Sequence, residues 1–112
     1  MGYNVLGWQH VLAVTVVRTD EFLKSKRAEI LDLATKRGIR NLRVFGSFAR
    51  GQAGPDSDVD LLVDVEPGRT YLDLGALLLD LQDLLGRKVE LVTERALHAS
   101  IKAQILQEAV PL

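Results

Sequence analysis

Cysteine is absent from the 112 residues of this chain, which excludes disulfide staples, thiolate metal centres and a cysteine nucleophile. That absence suits a reducing compartment. Charge of one sign is lacking as well: 14 basic side chains meet 15 acidic ones, for a net charge of −1. No global field draws in nucleic acid, so direct nucleic-acid binding and the handling of a long template are not expected. Long hydrophobic runs are missing too. The longest near the N-terminus is Val11-Leu12-Ala13-Val14, continuing past Thr15 to Val16-Val17, far short of the roughly 20 apolar residues that span a bilayer. No Lys or Arg precedes Arg18, so the basic start of a signal peptide is missing and the expectation is a cytoplasmic protein. Histidine is confined to His10 and His98, and neither has a second histidine at ligand spacing.

What is present suits one globular domain, with 47% apolar and 26% charged residues and no internal repeat. Residues 1–18 read as an N-terminal extension, whether edge strand, oligomer contact or loose tail, with Trp8 as a packing residue. The domain proper is 19–112. Asp20 caps a helix running to about Lys36, with Phe22, Leu23, Ile30, Leu33 and Ala34 as its apolar stripe and Gly38 as its terminator. Leu42–Phe45 reads as the first strand, Asp58–Val65 as the second and Val89–Val92 as the third, with a Gln52–Ser57 loop between the first two. Thr70 with Asp73 makes a capping box for a helix over Tyr71–Leu85, closed by Gly86. Thr93 is expected to cap a last helix towards Glu108, and Pro111 to end the chain. The fold class is α/β (α+β): a small mixed sheet of three to four strands, with helices packed mainly on one face and acidic side chains on the other.

The Leu72–Leu85 helix is apolar over more than half its circumference, with Asp73, Asp80 and Asp83 marking a single wet face. So wide a stripe points to a protein-contact surface ahead of complete burial within the monomer, and a homo-oligomer stays open among the partners.

The chemistry concentrates in two segments, Gly46-Ser47-Phe48-Ala49-Arg50-Gly51 and Ser57-Asp58-Val59-Asp60-Leu61-Leu62-Val63. On a strand, Asp58 and Asp60 project one way while Val59, Leu61 and Val63 face the core. Their Cα atoms should lie roughly 6.6 Å apart, at about 3.3 Å rise per residue. Hard carboxylate oxygens so spaced suit one or two divalent cations. Aspartate is disfavoured in strands, so two on one face call for a reason. Gly46 permits a tight turn, and Ser47 offers a backbone N–H and a hydroxyl to a phosphate. Arg50, one helical turn on, either neutralises a departing pyrophosphate or pairs with Asp58. Ser57 caps the start of the metal strand or meets a phosphate. Glu90 alternates with Val89 and Leu91; it completes an acidic cluster if its strand neighbours the second, and otherwise makes a plain salt bridge with Lys88 or Arg87.

These motifs resemble those of the nucleotidyltransferase superfamily related to DNA polymerase β: a Gly-Ser turn, an Asp-x-Asp strand, then a third acidic strand. From about Glu29 onward the chain is similar to the minimal nucleotidyltransferase group, small domains that act as antitoxins beside HEPN-domain toxins. The resemblance implies a polymerase β-like fold and transfer of AMP from ATP to a hydroxyl, with two Mg²⁺ ions held by Asp58, Asp60 and Glu90. Gly46, Ser47, Arg50 and Ser57 would serve the nucleotide, and the acceptor would be a tyrosine of a HEPN toxin. Glu90 departs from the aspartate usual at its position. Rival readings are an antitoxin that works by occlusion with little catalysis, and a small-molecule nucleotidyltransferase.

Overall fold

The computed structural model describes residues 21–112. The N-terminal extension, with Trp8 and His10, and the Asp20 cap lie outside these residues. Helix α1, residues 21–36, turns Leu23, Ile30 and Ala34 into the core, with Phe22, Leu31 and Leu33 at its margin. This is the one-faced spacing of an amphipathic helix. Gly38 stops it with φ at +70°, a left-handed geometry that costs glycine least.

Strand β1 comes next, as Ile39–Phe45, three residues earlier than Leu42. Its start is obscured because Arg40 and Asn41 interrupt the apolar pattern, and they do so at a bulge where Asn41 adopts φ 54°. A bulge breaks period-two alternation. Strand β2 is Val59–Val65, so Asp58 precedes the ladder rather than opening it. Helix α2, Tyr71–Leu85, carries the full Thr70–Asp73 capping box and ends at Gly86 in a left-handed cap. Strand β3 is Val89–Val92.

After β3 the chain departs from expectation. Thr93 caps no α-helix; its side chain makes no capping bond, and a 3-10 turn covers Glu94–Ala96. Leu97 is extended, with φ −83° and ψ 133°, and helix α3 waits until Ala99–Glu108 behind His98. The ion pair from Arg43 to Glu94, 3.4 Å, ties the short turn to the sheet. Pro111 does not merely end the chain. Val110–Pro111 forms a fourth strand, β4, antiparallel to β1, and Leu112 N donates to Leu42 O at 3.1 Å. A proline is admissible there because the edge of a sheet needs no donor on its open side.

The sheet is mixed, in the order β3-β2-β1-β4. β1 is antiparallel to β2 and to β4, and β2 is parallel to β3. Val59, Leu61 and Val63 are fully buried in one cluster with Leu77, Leu81 and Leu85 of α2 and the stripe of α1. The opposite face is only partly acidic. Leu62, between Asp60 and Asp64, is fully buried, and the Glu94–Ala96 turn packs against β2 there. Among the described residues no helix is long and apolar enough to cross a membrane.

Candidate functional site

The sheet register assembles the site. Asp60 pairs with Phe45, the residue before Gly46, on one side and with Glu90 on the other. Neighbouring strands lie about 4.8 Å apart, and equal register puts Asp60 and Glu90 on the same face. The Asp60 carboxyl is pushed up from 3.8 to about 6. Partial burial is the largest cause, then the charge of Glu90, a side-chain hydrogen bond with Glu90 and the charge of Asp58, while Arg50 opposes them. Anionic oxygens held together in this way favour either a proton or a cation.

Gly46 opens the turn with φ +74°, and a Cβ placed on it would lie 2.2 Å from Asp60 Oδ2. The missing side chain lets the Asp60 carboxylate rest against the turn. Residues 46–51 form a single turn rather than a short helix. Arg50 N donates to Gly46 O at 3.1 Å, Gln52 N donates to Ser47 O at 2.9 Å, and Gly51 at φ +69° ends the turn. The Ser47 hydroxyl has no hydrogen-bond partner among the described residues.

Arg50 and Ser57 are each tied to neighbours within the fold. Arg50 does not pair with Asp58. Its Nε donates to Gln52 Oε1 at 3.0 Å, and its Nη1 to Glu108 at the end of α3. Glu108 lies 58 positions away in sequence, so no local pattern announced it. Ser57 serves its own loop: its Oγ accepts from Gly54 N at 2.8 Å. Asp58 stands at the mouth of β2, with Lys88 Nζ 4.0 Å from its Oδ2. Lys88 thus faces Asp58 rather than Glu90.

Asp60 and Glu90 are side by side, with Asp58 close enough to act on Asp60 through its charge. Among the described residues no three acidic, histidine or cysteine side chains form a ready-made metal cage. The donors nonetheless fit a hard divalent cation: all are carboxylates, and Asp60 is held in a field that a cation would relieve. Glu90 is exposed and one methylene longer than aspartate, so it can swing to a ligand or accept a proton. Glu90→Asp is expected to keep or raise transfer activity, and Glu90→Gln to lower kcat about 10²–10⁴-fold, the usual contribution of a positioned acid–base group. Steady-state kinetics check this, and a Glu90→Gln enzyme as fast as wild type would make the residue structural.

A family model described as a nucleotidyltransferase domain matches residues 18–112. A candidate protein adenylyltransferase of Methanocaldococcus jannaschii is 36% identical over 84 residues, covering 75% of this chain and 90% of its own. The protein adenylyltransferase MntA of Thermococcus cleftensis is 42% identical over 79 residues, covering 70% of this chain and 80% of its own. Among solved structures, one described as a candidate minimal nucleotidyltransferase superposes with a TM-score of 0.73 at 49% identity, covering 82% of this chain and 94% of that one. A toxin–antitoxin complex with AMP-PNP matches with a TM-score of 0.63 at 21% identity, over 75% of this chain and 69% of that one, and shares the fold.

Proposed function

The chain belongs to the nucleotidyltransferase domain family, in its minimal group, and is a nucleotidyltransferase; from that premise we propose that it transfers AMP from ATP, with Mg²⁺, to a tyrosine hydroxyl of a HEPN-domain toxin in the cytoplasm. The observation that carries the chemistry is Asp60 lying between the Gly46 turn and Glu90 in register. A protein acceptor is supported by the relatives, two of which are named as protein adenylyltransferases, and a toxin partner by the AMP-PNP-bound neighbour of the same fold, a toxin–antitoxin pair; the tyrosine and the HEPN domain rest on the sequence resemblance.

In this reading the Gly46 and Ser47 amides and the Ser47 hydroxyl hold the triphosphate tail. The Arg50 guanidinium faces its charge. Asp58, Asp60 and Glu90 would hold divalent cations, which when bound would lower the pKa of the acceptor hydroxyl and offset charge at the α-phosphate. The acceptor oxygen bonds to the α-phosphorus, the bond from the α-phosphorus to the bridging oxygen breaks, and pyrophosphate leaves. Glu90 takes the hydroxyl proton.

The docking surface we assign to the partner is the open face of α2. Leu72 is 85% exposed and Leu79 is 63% exposed, with Tyr71 beside them. The wet face expected from Asp73, Asp80 and Asp83 is largely spoken for. Asp80 pairs with Arg37 at 3.3 Å and Asp73 lies 3.8 Å from Arg69, whereas Asp83 shares the leucines' open side. The double change Leu72→Lys with Leu79→Lys is expected to weaken the toxin complex by about 2 kcal/mol or more, the scale of an interface hot spot. Melting temperature and nucleotide binding should stay as they were, because neither side chain is in the core. Unfolding of the variant would move the docking site elsewhere.

The test of the function is direct. The purified chain, Mg²⁺ and α-labelled ATP should leave the label on separately purified toxin once it is added, with little turnover before. Neutralisation of the toxin without any label would select the occlusion reading, and rapid labelling of free small molecules would exclude the partner requirement.

A further inference from the structure

Asp58 lies just outside the β2 ladder, after the loop that holds Gly54 and Pro55, so strand pairing does not itself enforce its alternation with Asp60. Its aim must come from elsewhere, and one side chain surrounds its approach.

Arg87 comes directly after the Gly86 cap that ends α2. Its Nη1 donates to Gly54 O at 3.3 Å and to Ser57 O at 3.2 Å. Those are the two ends of a turn already closed by Ser57 N to Gly54 O, 3.2 Å, and by Gly54 N to Ser57 Oγ, 2.8 Å. The same guanidinium lies 4.2 Å from the ring centroid of Phe22 in α1 and 5.3 Å from that of Phe48 in the Gly46–Gly51 turn. The two rings are 6.2 Å apart and tilted by 30°. One residue on, Lys88 O accepts from Val59 N at 3.0 Å. Asp58 is therefore bracketed: Arg87 holds the carbonyl before it, and Lys88 holds the amide after it.

We propose that Arg87 is a positioning residue that clamps the Gly54–Ser57 turn against Phe48, and so fixes Asp58 relative to the phosphate-binding turn. This rests on the reading of Asp58 as a metal ligand made above. A planar cation is needed, because the group must lie against two aromatic rings while one of its nitrogens, Nη1, donates to both carbonyls. Lysine offers the charge without the plane, so Arg87→Lys should not restore the clamp. Glutamine offers donors without charge and should not restore it either.

The experiment is binding of Mn²⁺ to the full chain by electron paramagnetic resonance, alongside thermal melting and AMP transfer. Arg87→Lys and Arg87→Gln are compared with Ile30→Val, a core change remote from the site. Loss of a group that orients a metal ligand typically costs about 10–100-fold in metal affinity, and that loss is expected of both Arg87 variants while they remain folded. Ile30→Val should melt earlier and bind Mn²⁺ as wild type does. Wild-type Mn²⁺ affinity in Arg87→Lys would overturn the clamp, as would an equal loss in Ile30→Val at a matched melting temperature. A wild-type chain that binds no Mn²⁺ would overturn the clamp together with the metal site. Arg87-dependent Mn²⁺ binding in a chain that transfers no AMP would uphold the clamp and overturn the transfer reading.

Discussion

Asp60→Ala is expected to abolish nucleotidyl transfer and to leave the metal-free chain more stable than wild type. The two effects have one cause. Asp60 is partly buried, faces Glu90 in register and feels Asp58, and its carboxyl is raised to about 6. In the folded metal-free chain its charge is therefore unfavourable, and its removal relieves strain that exists only when the chain is folded. A bound divalent cation reverses that balance, and its contribution to the reaction is worth several kcal/mol, so a loss of about 10³-fold or more in kcat is expected. The stability of the wild-type chain should carry the same signature in its pH dependence. Between about 3.8 and 6 the folded chain keeps a proton on Asp60 that the unfolded chain has released, so stability falls as pH rises through that window and levels off above it. Asp60→Ala should flatten this segment, and saturating Mg²⁺ should raise stability most at the upper end. Chemical denaturation across pH, with and without Mg²⁺, measures all three. A double Asp58→Ala, Asp60→Ala chain with wild-type transfer would sink the enzymatic reading.

Much of this site was legible in the sequence because its parts are local. The capping box at Thr70 and Asp73, the left-handed Gly86 and the four residues of β3 are each written within a few positions of one another, and the structure forms them as expected. Asp60 and Glu90 meet because two short strands pair in parallel through one helix, an arrangement that their spacing and apolar alternation already favour. What stayed hidden depends on distant partners. Glu108 holds Arg50 across 58 positions, and β4 exists only because α3 returns the chain to the free edge of β1. Arg87 reads in the sequence only as a salt-bridge partner for Glu90, and its stacking on Phe22 and Phe48 has no trace in local pattern. The first half of β1 was hidden differently: a bulge at Asn41 removed the alternation by which strands are recognised.

The second large effect is expected from the smallest change, Gly46→Ala. At φ +74° an alanine is strained, which costs about 1–2 kcal/mol for an L side chain in the left-handed region. That alone would leave the domain folded. The added methyl does the greater harm elsewhere, since its carbon would fall 2.2 Å from Asp60 Oδ2 and 3.2 Å from the carboxyl carbon. Backbone pairing with Phe45 and Glu90 holds Asp60 in the centre of the sheet, so the strand cannot retreat and the carboxylate must rotate away from the turn. The turn and the metal platform then lose the contact that lets one nucleotide span both. Gly46→Ala should therefore lower the melting temperature modestly and reduce transfer by about 10²-fold or more, the scale of a 1 Å misplacement in a reacting site. Mg²⁺ and ATP binding, measured separately by calorimetry, should both weaken, and the pH-dependent segment assigned to Asp60 should shrink as its carboxylate turns outward. A Gly46→Ala chain that is destabilised yet binds ATP and Mg²⁺ as wild type does would show that the closeness of Gly46 to Asp60 serves the turn alone.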